Sequence, residues 1–136
     1  MRVLIIDGQG GRIGRQLVEA VRQRLPQLEI TAVGTNSMAT DSMRRAGAQQ
    51  IATGENAVCV CARRADVILG PVGIVIADAL LGEVTPAMAA AVGQSQAQRI
   101  LIPMHRCESR IVGVGDLSLS ALVDQAVTML EELVRA

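Results

Sequence analysis

The residues best suited to chemistry form one run: Asp7, Gly8, Gln9, Gly10, Gly11, Arg12, Ile13 and Gly14. It follows directly on the apolar residues Val3, Leu4, Ile5 and Ile6, and a helical pattern starts as it ends. Strand, glycine turn and helix start together make an anion-binding device. One glycine lets the turn form, a second lets backbone approach a pyrophosphate, and Gly14 lets the helix sit close to its strand. Unpaired N–H groups at the helix start point outward, and the helix dipole favours negative charge there. The Arg12 guanidinium adds a fork for phosphate oxygens. The glycines fit G-x-G-x-x-x-G through Gly10 or G-x-x-G-x-x-G through Gly11, and neither is the strict dinucleotide fingerprint. A Walker A loop is excluded because the chain contains no lysine, and lysine Schiff-base and general-base chemistry go with it. Asp7 would repel a pyrophosphate unless neutralised, so it is read as holding the turn through bonds to nearby N–H groups. A glycine turn that binds nothing is the competing reading of the run.

About twenty residues further on, a dinucleotide-binding fold presents an acid to the adenine ribose. Thr35, Asn36 and Ser37 stand there instead. Uncharged donors tolerate a ribose phosphate that a carboxylate would repel, which tilts the cofactor from NAD towards NADP; a helix cap without ligand is the alternative. Gly70, Pro71 and Gly73 follow another short apolar run and are placed as the opposite wall of the cleft. Cys59, Cys61, Cys107 and His105 lack the two-residue gap of a zinc knuckle, so no metal site is assigned and the thiols are read as small hydrophobes. His105 is the single histidine, and Glu55, Glu83 and Cys107 are further acid, base or thiol candidates without a visible partner. No catalytic residue is assigned.

The positioning elements follow from periodicity and punctuation. Residues 12–24 carry an apolar stripe through Ile13, Leu17 and Val21 and predict a helix ended by Pro26. Residues 28–33 predict a strand, 38–46 a helix closed by Gly47, and 48–52 a short strand. Residues 57–65 fit a helix or a buried strand equally. Residues 67–69 predict a strand and 74–81 an apolar helix. Thr85 and Pro86 cap a helix to about residue 96, residues 99–102 make a strand, and 110–114 a short edge strand. A long amphipathic helix begins at Asp116 or Ser118. Strands alternate with helices throughout. The fold class is therefore α/β: one domain over residues 1–136, a Rossmann-like three-layer sandwich with a mostly parallel sheet and helices on both faces.

Composition narrows the partners. Half of the 136 residues are hydrophobic, none is aromatic and the formal net charge is zero. A basic face for nucleic acid is absent, and so are stacking platforms for single strands. The most apolar stretch, 67–81, is interrupted by Pro71 and Asp78 and is too short to span a bilayer, so no membrane partner is assigned. Three cysteines and no evident signal peptide predict a bacterial, cytoplasmic protein. Sparse surface charge predicts a homo-oligomer, a dimer or higher. The expected partner is a small-molecule nucleotide.

Two resemblances add to this. Residues 2–21, through Gly8, Gly11, Arg12, Gly14 and Arg15, resemble the opening of dihydrodipicolinate reductase, whose nicotinamide-binding half has a similar G-x-x-G-R-x-G-R pattern. That family's substrate domain and paired-histidine motif have no counterpart here, so its activity does not carry over. The whole chain is similar to a short bacterial family known only as a domain of unknown function. The likeness rests on the opening D-G-Q-G-G-x-I-G, G-E-N-A at 54–57, G-P-x-G-I at 70–74, A-D-x-x-L-G-E-x-T-P at 77–86 and I-L-I-P at 100–103. The expected function is nucleotide or dinucleotide binding. A small oxidoreductase completed by a second subunit and a structural assembly protein are the alternatives.

Overall fold

The computed structural model describes residues 1–104 and 109–136. Five strands, β1 (Val3–Asp7), β2 (Ile30–Gly34), β3 (Gln50–Thr53), β4 (Val67–Pro71) and β5 (Gln98–Ile102), form one sheet in the order β3-β2-β1-β4-β5. Every pairing is parallel. Its helices are α1 (Arg12–Arg24), α2 (Ser37–Ala46), α3 (Glu55–Arg64), α4 (Pro86–Gln94) and α5 (Leu119–Arg135). Helices cover both faces of the sheet, as expected of parallel strands.

Side-chain alternation along β1 explains the layers. Val3 and Ile5 face a core with Leu17, Val18 and Val21 of α1, Met43 of α2 and Val127 and Leu130 of α5. Leu4 and Ile6 face the other core, with Val58 and Ala62 of α3 and Met88 and Val92 of α4. β1 is buried along its whole length. Aliphatic and methionine side chains fill both layers, so burial rather than ring stacking supplies the cohesion. Arg24 ties α1 to α5 by donating to Asp124 Oδ1 at 2.8 Å, to Thr128 Oγ1 at 2.9 Å and to Glu131.

Caps set several boundaries. Asn36 Oδ1 accepts from Ala39 N–H at 2.8 Å at the start of α2, and Gly47 closes that helix with φ 117°. Thr85 and Ser118 cap α4 and α5 through Met88 N–H and Ala121 N–H, both at 3.1 Å. The ambiguous stretch at 57–65 is helical up to Arg64, within α3, and Ala65 is its extended C-cap.

Two expected elements are absent. Residues 74–81 do not make a helix: a short 3-10 turn at Val72–Val75 gives way to irregular turns up to residue 84. Asp78, Leu80 and Leu81 have left-handed backbone there, with φ 66°, 58° and 57°. Ile74, Ala79, Leu80 and Val84 are buried, so the apolar run fills core without helical periodicity. Residues 110–114 form no strand. Among the described residues, no helix is long and apolar enough to cross a membrane.

The glycines of the first turn differ in what they tolerate. Gly11 has φ 73°, and a Cβ on it would stand 2.9 Å from the Ala39 Cα atom. A Cβ on Gly10 would meet nothing within 4 Å. Gly11→Ala is therefore expected to lose roughly 1–3 kcal/mol. Gly10→Ala should stay within about 0.5 kcal/mol of the parent. Urea unfolding followed by far-UV circular dichroism checks both.

Candidate functional site

The site begins with how β1 hands over to α1. Gly11 N–H donates to Gly8 C=O at 2.9 Å and closes the turn, with Gln9 at φ 49°. Asp7, the last residue of β1, is only 4 % exposed. Its carboxylate accepts from Gly8 N–H at 2.8 Å and Gly14 N–H at 2.7 Å, and the nearby Ile13 N–H also favours its charge. It thus takes one of the orphan donors that a helix start must satisfy, Gly14 N–H, and draws a second towards its charge. The turn-holding role expected for Asp7 is what the geometry shows. Gly14 has to be glycine here, since a Cβ would lie 2.8 Å from the Asp7 Cβ and 2.5 Å from Met43 Sδ.

Two donors of the same turn stay open. The amides of Gly10 and Arg12, and the Arg12 guanidinium, have no hydrogen-bond acceptor among the described residues. All lie on one wall of a cleft of about 460 Å³. Residues 7–13 form that wall, and Leu80, Pro103, Met104, Leu117, Leu119 and Leu122 form the other. The cleft lies at the carboxyl ends of the strands. There β1 connects to β2 on one side and pairs with β4 on the other, the switch point at which open parallel sheets take ligands. A groove of about 450 Å³ at the opposite end of the sheet, past Arg2 and Thr31, lacks that relation to the glycine turn.

The expected ribose side is arranged differently. Thr35 Oγ1 and Asn36 Nδ2 both donate to Glu83 Oε1 at 2.7 Å, and Gln9 N–H donates to the same oxygen at 2.8 Å. Asn36 also donates to Gln9 C=O at 3.0 Å. The acid missing after β2 in the sequence is therefore brought to that strand end by the loop after β4. Ser37 is exposed at the first position of α2. None of Thr35, Asn36 and Ser37 lines the cleft.

Gly70, Pro71 and Gly73 are not the opposite wall. All three are buried and none borders the cleft. Gly70 allows β4 to approach β1, since a Cβ there would lie 2.4 Å from Ile6 C=O. Gly73 packs under Ala79, whose Cβ would be 3.3 Å away. The actual wall comes from α5, the residues just before it and just after β5, and Leu80 of the loop after β4. Leu119 and Leu122 were visible in the sequence only as part of a helical stripe.

The other candidates lie elsewhere. Glu55 accepts from Thr85 Oγ1 at 2.6 Å and links α3 to the start of α4. Cys59 and Cys61 are both on α3, where residues two apart diverge, and burial pushes the Cys61 thiol above its usual range. His105 and Cys107 lie outside the described residues.

A family model described as "Domain of unknown function (DUF3842)" matches residues 2–135. The chain belongs to this DUF3842 family. No curated protein matches the sequence. Among solved structures, the DUF3842 chain is similar to the "dodecameric FMN-dependent Ubix-like Decarboxylase from Escherichia coli O157:H7". Identity is 19%, with 95% of this chain and 76% of that chain covered and a TM-score of 0.47.

Electrostatics divide the two carboxylates. Burial pushes Asp7 up to about 6 from 3.8, against the bonds from Gly14, Gly8 and Ile13 and with some help from Glu83. Glu83 goes the other way: burial opposes its ionisation, but the bonds from Gln9, Thr35 and Asn36 outweigh it and hold the carboxyl below its ordinary value. Folded Asp7 keeps its proton in a range where the unfolded chain has lost it, so stability falls as pH rises from about 4 to about 6. The shift from 3.8 to about 6 corresponds to roughly 3 kcal/mol over that window. Asp7→Asn should flatten this slope. It should also lower stability throughout, because its NH2 faces an N–H donor. Unfolding midpoints measured from pH 4 to 7 for both chains check this.

Proposed function

We propose that this chain binds a nucleotide, with a phosphate resting on the turn formed by Gly8, Gln9, Gly10, Gly11, Arg12, Ile13 and Gly14. The observation that carries this is the pair of open amides, Gly10 and Arg12, on the wall of the 460 Å³ cleft at the sheet's switch point. An anion there meets backbone donors, the positive end of α1 and the free Arg12 guanidinium. The facing wall of Pro103, Met104, Leu117, Leu119 and Leu122 suits the apolar body of a base or ring. NAD and NADP are the finer readings. Between them, the fixed charge of Glu83 at the end of β2 disfavours the 2′-phosphate, which reverses the tilt towards NADP drawn from the sequence. No nucleophile–base pair accompanies the cleft among the described residues, so binding is proposed without a reaction.

A homo-oligomer is part of the proposal. Ile111, Val112, Val114, Leu117 and Met129 are exposed. Several of them border the hollow between β5 and α5, next to the cleft. Sedimentation velocity is expected to give a mass of at least two chains, and a monomer at micromolar concentration would contradict it.

Binding is tested by thermal unfolding with AMP, FMN, ADP, NAD and NADP. A ligand at about a hundred times its Kd adds about 2.7 kcal/mol, worth roughly 8 °C in a chain of this size. At least one of the panel is expected to give such a shift. Gly10→Asp should fold, since Gly10 has open space around it, and should abolish the shift by placing a carboxylate beside the open amides. Absence of any shift in the parent chain, or an equal shift in Gly10→Asp, contradicts the proposal.

A further inference from the structure

The crevice at the glycine turn is open on one side only. On the β5 side lies the cleft of about 460 Å³. On the β2 side the loop at 76–84 lies against the turn. A Cβ added to Gly8 would stand 2.6 Å from Thr35 Oγ1, 2.8 Å from Leu80 Cδ1 and 3.1 Å from Glu83 Oε1, so no ligand atom fits there. One oxygen, Glu83 Oε1, accepts from the Gln9 amide, the Thr35 hydroxyl and the Asn36 amide. A backbone amide of the glycine turn and two donors at the end of β2 are the groups that the second half of a dinucleotide would otherwise meet. Here a side chain of the protein holds all three.

We propose that Glu83 is a specificity-determining latch. Closed, it confines the site to a mononucleotide on the β5 side, and a dinucleotide, which crosses the switch point, is admitted only when the Glu83 carboxylate releases the turn. This rests on the nucleotide-binding reading above and names the size class of its ligand. The loop suits a latch. Asp78, Leu80 and Leu81 hold left-handed backbone, a conformation disfavoured for residues with side chains, and Leu81 is 97 % exposed. Internal bonds from Asp78 N–H to Val84 C=O at 2.7 Å and from Gly82 N–H to Asp78 C=O at 3.0 Å keep it compact. Ala79, Leu80 and Val84 anchor the loop in the core, so what moves when the Glu83 bonds part is the Glu83 side chain with the exposed tip at Leu81 and Gly82.

The test is calorimetric titration of the full chain with AMP, FMN and nicotinamide mononucleotide on one side and NAD on the other. In the parent chain a mononucleotide is expected to bind and NAD to bind more weakly. Glu83→Ala should strengthen NAD binding by roughly tenfold or more and leave the mononucleotide within about twofold. Thr35→Val removes one latch bond without touching Glu83 and should move NAD in the same direction by less. It also serves as the test if Glu83→Ala fails to fold. The latch is overturned if Glu83→Ala weakens NAD binding, if both ligand classes change alike, or if NAD matches the mononucleotide in the parent chain. Mononucleotide binding that Gly10→Asp abolishes, with no gain of NAD in either latch variant, sinks the latch and leaves the nucleotide reading standing. Failure of every ligand in every chain ends both.

Discussion

A carboxylate removed from water fixes the geometry on which the rest depends. Asp7 ends the central strand and accepts from Gly8 and Gly14, so strand, turn and helix are tied at one point. Burying a charge is costly unless hydrogen bonds compensate, and here backbone amides offset the cost only in part, so the carboxyl is pushed up to about 6. Because the turn is fixed by one of its own acids, its remaining donors keep a defined position without a ligand. Such pre-organisation lowers the ordering cost of binding.

The two acids at the turn act on different donors. Asp7 satisfies the amides inside the first turn of α1, and Glu83 satisfies the amide of Gln9. Together they leave Gly10 and Arg12 on the side that faces α5. The polar half of the crevice is thus divided by the protein's own charges, and the open part faces an apolar wall. Arg12, exposed on the same turn, carries a charge opposite to that of the two acids.

Much of this was legible because local rules and tertiary packing agreed. The bounds of α1, the αL cap at Gly47, Thr85 before Pro86 and the stripe of α5 each follow from short-range chemistry. The open parallel sheet follows from strands alternating with helices. What was hidden depended on distant contacts. The run at 74–81 looks helical by composition, but Leu80 and Val84 are buried by a turn in which Asp78, Leu80 and Leu81 are left-handed without being glycine, with Gly82 the one glycine beside them. Gly70 and Gly73 resemble cleft glycines in sequence, yet close packing against β1 and Ala79 accounts for them. Glu83 reaches Thr35 and Asn36 across 48 and 47 positions, which spacing rules for a single strand–helix unit cannot reveal.

The most direct test of the central claim reads the turn itself. Amide resonances of the 15N-labelled chain are followed while AMP is added. Saturable shifts are expected at Gly10 and Arg12, with Gly8 and Gly14 moving little because Asp7 already holds them. Shifts that bypass Gly10 and Arg12, or that appear only around Arg2 and Thr31 at the opposite end of the sheet, would contradict it.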